Sequence, residues 1–281
     1  VEIKAADVKQ LRDKTGAGMM DCKKALTEAE GDFAKAERIL KELGLAAAAK
    51  RSGRATNEGR IFTTITEDAA ALLELSCETD FVARNKDFIA LGNAIVERVA
   101  RENISLEDSQ IAEQVKEAIS TIKENMAARR AKRMEIAKNE KVVQYVHGEG
   151  GSIGVLLKVA ASKPETLENE SVSQFAFDCA LHVAAFNPTF LSKDNVPAEY
   201  VKEQEEIYMQ QARNLGKPEK VLEGIVKGKL NKHLSEICFL EQPFVKDDKR
   251  SVAKVAADIG KEIGDELTVA EFAYYKVGEQ E

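Results

Sequence analysis

The residues of this chain that could do covalent, metal or phosphate chemistry are few, and their spacing keeps them apart. Four cysteines, Cys22, Cys77, Cys179 and Cys238, are widely separated, with no CxxC pair and no Cys/His spacing of a zinc site. The histidines His147, His182 and His233 fall in different segments, without HxxxH or HExxH spacing. No GxSxG elbow offers a serine nucleophile. The run Gly148-Glu149-Gly150-Gly151-Ser152-Ile153-Gly154 invites a phosphate-loop reading, but it lacks the GK[ST] ending and connects strand to strand. No helix N-terminus would then face an anion, and a hairpin turn is the better reading. These observations argue against an enzyme, a resident metal and a cofactor.

Binding chemistry is better represented. In Cys77-Glu78-Thr79-Asp80-Phe81-Val82 a carboxylate directly precedes a large ring, in a loop between a strand and a helix. Two readings stay open there. The ring can wedge into an apolar groove of a partner while Asp80 disturbs a nearby cation site, or Phe81 can staple the following helix against Ile89 or the sheet. Met19-Met20 follows a flexible Gly-Ala-Gly turn and stands close to Lys23. An adaptable methionine pair in the open is a docking element, whereas a buried pair caps the core of its own helices.

The elements that must carry these groups follow from periodicity. Residues 5–45 read as three short helices: Val8 and Leu11 mark the first, and Cys22, Ala25, Leu26 and Ala29 line the second at i, i+3, i+4, i+7. Asp32 is placed to cap the third, with Gly44 as its C-terminal glycine. Three helices this short resemble a ubiquitin-associated bundle, and 46–58 reads as a tether, with part of it open to helix. A strand-turn-strand-helix pattern then occurs twice, at 60–66, 71–77 and 86–101 and again at 142–147, 153–161 and 171–186, which predicts two related α+β subdomains with antiparallel sheets. Between them, 105–141 reads as a long polar helical stretch, basic around Arg129, Arg130, Lys132 and Arg133. Beyond Pro197, Val201, Tyr208 and Leu215 recur at sevens, with Ile207 and Ala212 beside them. After Gly216-Lys217-Pro218, the residues Val221, Leu222, Ile225, Val226, Leu230 and Leu234 follow. That pattern predicts an inserted antiparallel helical hairpin, a short coiled coil. A helix at 251–263 and a strand near 267–277 close the chain. The predicted organisation is α+β: a helical bundle and linker at 1–54, a first core subdomain at 55–140, a second at 141–190 with 240–281, and the hairpin at 191–239.

Composition bounds the function. The chain has 281 residues, a charged fraction of 32% and a net charge of -7, so its overall field opposes non-specific nucleic-acid binding. No stretch approaches the roughly 20 apolar residues of a membrane span, and the charged start Val1-Glu2-Ile3-Lys4 has no apolar signal region. Unpaired thiols and the missing signal place the chain in the cytoplasm or in an organelle matrix.

Two long stretches carry a resemblance. Leu11-Arg12-Asp13-Lys14-Thr15-Gly16-Ala17-Gly18-Met19-Met20-Asp21-Cys22-Lys23-Lys24-Ala25-Leu26 looks like the N-terminal signature of the bacterial elongation factor Ts family. Glu74-Leu75-Ser76-Cys77-Glu78-Thr79-Asp80-Phe81-Val82-Ala83-Arg84 resembles its second signature. Tyr145-Val146-His147-Gly148, Ile153-Gly154-Val155-Leu156 and Gln242-Pro243-Phe244-Val245 follow in the family's order. The resemblance implies a guanine nucleotide exchange factor that binds elongation factor Tu, with neither covalent chemistry nor a cofactor of its own. It implies that Arg12, Met19, Met20 and Lys23 contact the partner's nucleotide-binding domain. Thr79, Asp80, Phe81 and Val82 would lie near the partner's magnesium, with His147 facing another partner domain. It further implies self-association through the hairpin in some members; the acidic charge and the lack of an apolar span already argue against a nucleic-acid or membrane partner. Ser76 departs from the family's usual Asn, Ser152 from its Arg, and the turn before Ile153 looks enlarged. The chain ends soon after Val277, where some members add a further helix. Two rivals remain: an adaptor without exchange activity, and an RNA binder using 129–133.

Overall fold

The computed structural model describes residues 3–216 and 218–279. It is a mixed α+β chain that divides into two compact units, Val1–Met134 with Val146–Gly154 and Tyr275–Glu281, and Glu135–Tyr145 with Val155–Tyr274. The first unit thus holds the bundle of 1–54 together with most of 55–140, and the second holds the helices of 191–239 among their flanking segments.

In the first unit, helices α1 (Ala5–Thr15), α2 (Met19–Glu28) and α3 (Phe33–Arg51) enclose Val8, Leu11, Cys22, Ala25, Leu26, Ala36 and Leu40. Gly16 ends α1 at φ 66°, in the left-handed region, and Asp32 caps α3 by accepting the Lys35 N–H at 3.0 Å. Gly44 does not end α3, as its position suggested; the helical part allowed for in the tether from 46 continues α3 as far as Arg51. The residues after Gly44 are strong helix formers, which offset the ~1 kcal/mol that an interior glycine costs. The glycine serves a close approach instead: a Cβ there would stand 2.8 Å from the Cβ of Ser120.

Strands β1 (Glu58–Ile65) and β2 (Ala69–Cys77) pair antiparallel, with Glu58 opposite Cys77 and Ile65 opposite Ala70. Every residue of β2 is buried, as befits the middle strand of the sheet β1-β2-β3. A single helical turn, α4 (Asp80–Ala83), leads into α5 (Lys86–Glu102), which lays Phe88, Ile95, Val96 and Val99 in the core of that sheet. The stretch 105–141 is not one helix. It divides into α6 (Ser109–Ile122) and β3 (Met126–Glu135), with Lys123 at φ 70° stopping the helix. The basic cluster lies on the strand, where its guanidinium groups meet fixed acceptors. Arg129 donates to the Thr56 carbonyl at 2.7 Å, Arg130 pairs with Glu74 at 2.7 Å, and Arg133 donates to the Ala100 carbonyl at 2.8 Å.

The sheet β4-β5-β8, most of which belongs to the second unit, is made of β4 (Glu140–His147), β5 (Ile153–Ala161) and β8 (Leu267–Lys276). Helix α7 (Glu170–Phe186) buries Val172, Phe175, Ala176, Cys179, Ala180 and Val183. Helices α8 (Ala198–Asn214) and α9 (Glu219–Ile237) follow, with Leu222, Val226, Leu230 and Leu234 of α9 buried. Leu215 and Val221, assigned to the seam by their spacing, are 67% and 45% exposed, because they flank the connection between the helices rather than their shared face. Lys217 of that connection lies outside the described residues. A short pair, β6 (Pro243–Phe244) and β7 (Asp247–Ser251), precedes α10 (Val252–Ile263), which Ser251 caps.

Candidate functional site

The turn after β2 is assembled from its anchors outward. Cys77 ends the strand buried, and its thiol donates to the Thr79 carbonyl at 3.2 Å. Thr79 is extended, and its Oγ1 accepts the Val82 N–H at 3.4 Å, so the segment read as a loop is a capped helical turn. Val82 and Ala83 are buried in the core of the first unit. With successive residues about 100° apart around a helix, seating those two inward turns Asp80 and Phe81 outward. Phe81 is 81% exposed, and Ile89 packs against the core without it. The reading of Phe81 as an internal staple therefore fails. Asp80 is also exposed, and its carboxylate stands 3.7 Å from Arg84.

The backbone beneath the ring is held firmly. Glu124 accepts the Thr79 N–H at 3.0 Å through one carboxylate oxygen and the Thr79 hydroxyl at 2.8 Å through the other. Glu78 accepts the Asn125 N–H at 2.6 Å and faces Arg54 at 3.4 Å. The Asn125 side chain in turn donates to the Arg54 carbonyl at 2.7 Å. Sequence reading missed Glu124 and Asn125. They lie 45 and 47 positions from their partners, and no local motif marks them. Burial first, and then the Glu124 carboxylate, push the Cys77 thiol up to about 12, so it is no nucleophile near neutral pH.

The other sequence-derived residues lie on separate elements. Met19 and Met20 open α2 and are 45% and 65% exposed; neither belongs to the bundle's core, so the core-capping reading fails. Lys23, one turn on, and Arg12 on α1 are exposed as well. His147 is exposed at the end of β4, where the glycine-rich run forms the expected turn: Gly148 and Gly151 take φ 75° and 61°, and the Gly151 N–H meets the Gly148 carbonyl at 3.1 Å. His182 and His233 are engaged internally, with Gln242 at 2.8 Å and with the Tyr200 hydroxyl at 2.7 Å. Burial lowers the His182 pKa below its ordinary value, so its ring is neutral near pH 7. Among the described residues no group of three or more His, Cys, Asp or Glu is placed to hold a metal ion, and no helix is long and apolar enough to cross a membrane.

Comparison with known proteins gives the family. The family model described as Elongation factor TS matches residues 78–279, which begin at the anchored turn. Elongation factor Ts of Treponema denticola is 47% identical over 278 residues, covering 99% of each chain. Elongation factor Ts of Borrelia recurrentis is 45% identical over 278 residues, covering 99% of this chain and all of its own. That of Borreliella burgdorferi strain B31 is 45% identical over 277 residues, covering 98% and 99%.

Proposed function

The chain belongs to the elongation factor Ts family and is a guanine nucleotide exchange factor for elongation factor Tu in translation elongation, and from that premise we propose that the exposed ring of Phe81 is the lever that opens the partner's nucleotide site. The observation that carries the proposal is a phenylalanine 81% exposed on a turn whose backbone is pinned from below. A ring held in water by a rigid base keeps its shape until a partner supplies a groove. In a GTPase, magnesium bridges the nucleotide phosphates to the protein, so shifting the residues around it removes much of the electrostatic hold on GDP. Asp80 sits beside the ring and brings a carboxylate towards that ion, while Thr79 and Val82 set the direction in which both point. By linkage, a factor that binds the empty GTPase more tightly than the GDP form weakens GDP binding by the same ratio. The lever acts on entry and release alike and gives no preference for GTP; the nucleotide pool sets the direction.

The remaining contacts follow the same reading. Met19 and Met20, adaptable and exposed, dock with Arg12 and Lys23 on the partner's nucleotide-binding domain, the three helices acting as a ubiquitin-associated-like module. His147 faces a second partner domain. Helices α8 and α9 form an antiparallel hairpin through which two copies associate, a reading supported by the exposed Ile207, Leu215 and Val221. The complex works in the cytoplasm without nucleic acid. The net charge of -7 and the internal partners of Arg129, Arg130 and Arg133 speak against an RNA surface.

Stopped-flow release of a fluorescent GDP from elongation factor Tu tests the lever. Phe81→Ala should slow the maximal release rate by about 30-fold or more, the scale of a central aromatic anchor, with an unchanged thermal midpoint. Release at the wild-type rate by the folded variant would leave an adaptor that docks without opening the site.

A further inference from the structure

Resting on the reading of Phe81 as the lever, we infer that Glu124 is a positioning residue for nucleotide exchange, the clamp that aims the ring. Helix α4 has four residues, too few to hold a helical turn on its own hydrogen bonds. Its backbone bonds, from the Ala83 N–H to the Thr79 carbonyl at 3.2 Å and from the Arg84 N–H to the Phe81 carbonyl at 3.3 Å, are long. With Val82 and Ala83 seated in the core, the fork from Glu124 to Thr79 fixes where the turn begins. One carboxylate oxygen takes the Thr79 N–H at 3.0 Å and the other takes the Thr79 hydroxyl proton at 2.8 Å. A hydroxyl has one proton and two lone pairs. With the proton committed to Glu124, the lone pairs face the Val82 N–H, the capping bond at 3.4 Å. Glu124 thus orients the cap, the cap orients the turn, and the turn presents Phe81. The adjacent bond from the Asn125 N–H to Glu78 at 2.6 Å keeps the two strands of contact in register.

A carboxylate is required because both of its oxygens accept. In Glu124→Gln the remaining oxygen can still take the Thr79 N–H, but the NH2 group now donates to the Thr79 hydroxyl. The hydroxyl proton is released, one of its lone pairs is taken from the cap, and the charge assistance is lost while the side-chain shape is unchanged. The second unit contains a counterpart that serves as a control. There Asp265 accepts the Lys163 N–H at 3.0 Å and the Thr166 hydroxyl at 2.6 Å, beneath a turn that carries no exposed ring.

The test measures release of fluorescent GDP from elongation factor Tu over a range of factor concentrations, which separates the maximal rate from the half-saturating concentration. Glu124→Gln should lower the maximal rate about tenfold, the scale of one charge-assisted hydrogen bond, with the thermal midpoint and the half-saturating concentration little changed. Thr79→Val deletes the same hydroxyl bond from its other end together with the cap to the Val82 N–H, and should be at least as slow. The pair Glu124→Gln with Thr79→Val should be no slower than Thr79→Val alone. Phe81→Ala combined with Glu124→Gln should be no slower than Phe81→Ala alone, because the clamp acts only through the ring. Asp265→Asn should leave the maximal rate unchanged. Wild-type rates for Glu124→Gln and Thr79→Val alongside a slow Phe81→Ala would overturn the clamp and leave the lever standing. A wild-type rate for Phe81→Ala would remove both. Additive losses in the doubles, or an equal loss in Asp265→Asn, would reduce Glu124 to a general support of the fold.

Discussion

The turn after β2 and the turn after β5 share one plan and differ at the tip. Strands Ala69–Cys77 and Ile153–Ala161, and helices Lys86–Glu102 and Glu170–Phe186, correspond at a constant offset of 84 positions (69 to 153, 77 to 161, 86 to 170, 102 to 186). Asn85 and Asn169 cap the two helices by accepting the N–H two residues on, and Asn103 and Asn187 end them at φ 52° and 43°. Between strand and cap, the first turn buries Val82 and Ala83, and the second buries Thr166 and Leu167. At the outermost position the first carries Phe81, while the second carries an exposed Glu165. A carboxylate in water costs the fold nothing there, so the shared scaffold has no need of a ring. Nothing within the shared scaffold accounts for Phe81, which is what the proposed lever requires.

The comparison extends into the sheets, with the charges reversed. Glu74 in the middle strand of the first sheet pairs with Arg130 of the third strand at 2.7 Å. At the matching places in the second, Lys158 stands 3.4 Å from Glu271 and from Glu140. Reversed polarity selects partners: β3 laid beside β5 would set Arg130 against Lys158. The two pairs differ in how much each loses when one partner is removed. Arg130→Ala leaves the Glu74 carboxylate fully enclosed and without its cation, still accepting the Gly278 N–H at 2.9 Å, and should cost about 3–5 kcal/mol by denaturant unfolding. Glu271→Ala leaves Lys158 with Glu140 and should cost clearly less. Equal costs would mean that the second pair lacks this reserve.

Much of this repeat is legible in the sequence, because strand alternation and helical spacing are local signals. The strand foreseen at 71–77 is Ala69–Cys77, and the helices foreseen at 86–101 and 171–186 are Lys86–Glu102 and Glu170–Phe186. What escaped depends on distant residues. Gly44 reads as a helix end until Ser120 is known to lie against it. Residues 126–135 are rich in Ala, Lys and Arg, which favour helix; their strand state comes from pairing beside β2 and from acceptors such as Glu74 and Thr56. At the site, the residue types of Asp80 and Phe81 were visible, but whether the ring pointed in or out was decided by the burial of Val82 and Ala83. The clamp at Glu124 was invisible for the same reason as β3.

The matched caps allow a finer test of the shared plan. Asn85→Ala and Asn169→Ala each remove a side-chain acceptor from the first turn of a 17-residue helix, at 2.7 and 2.9 Å. Each should cost about 1 kcal/mol in denaturant unfolding, and the costs should agree within error. Asn85→Ala should also slow GDP release modestly, because Asn85 ends the turn that presents Phe81, whereas Asn169→Ala should not. A large inequality in stability would show that the two turns share a backbone course but not a common energetic role.

The smallest effect separates the turns by pH. Asp265, the carboxylate beneath the second turn, titrates below its ordinary value because the Thr166 hydroxyl donates to its charged form, helped by the N–H groups of Glu266 and Lys163. The native state therefore binds the proton less readily than the unfolded chain, which takes it up near pH 3.8. The stabilisation is fully present above that pH and is lost as pH falls through the lower native value. Urea midpoints measured from pH 5 downward should thus fall more steeply for the wild-type protein than for Asp265→Asn, which has no proton to take up. Parallel curves would mean that the Thr166 bond favours the neutral acid as much as the ion, and that the second turn is held by the geometry of its backbone and not by charge.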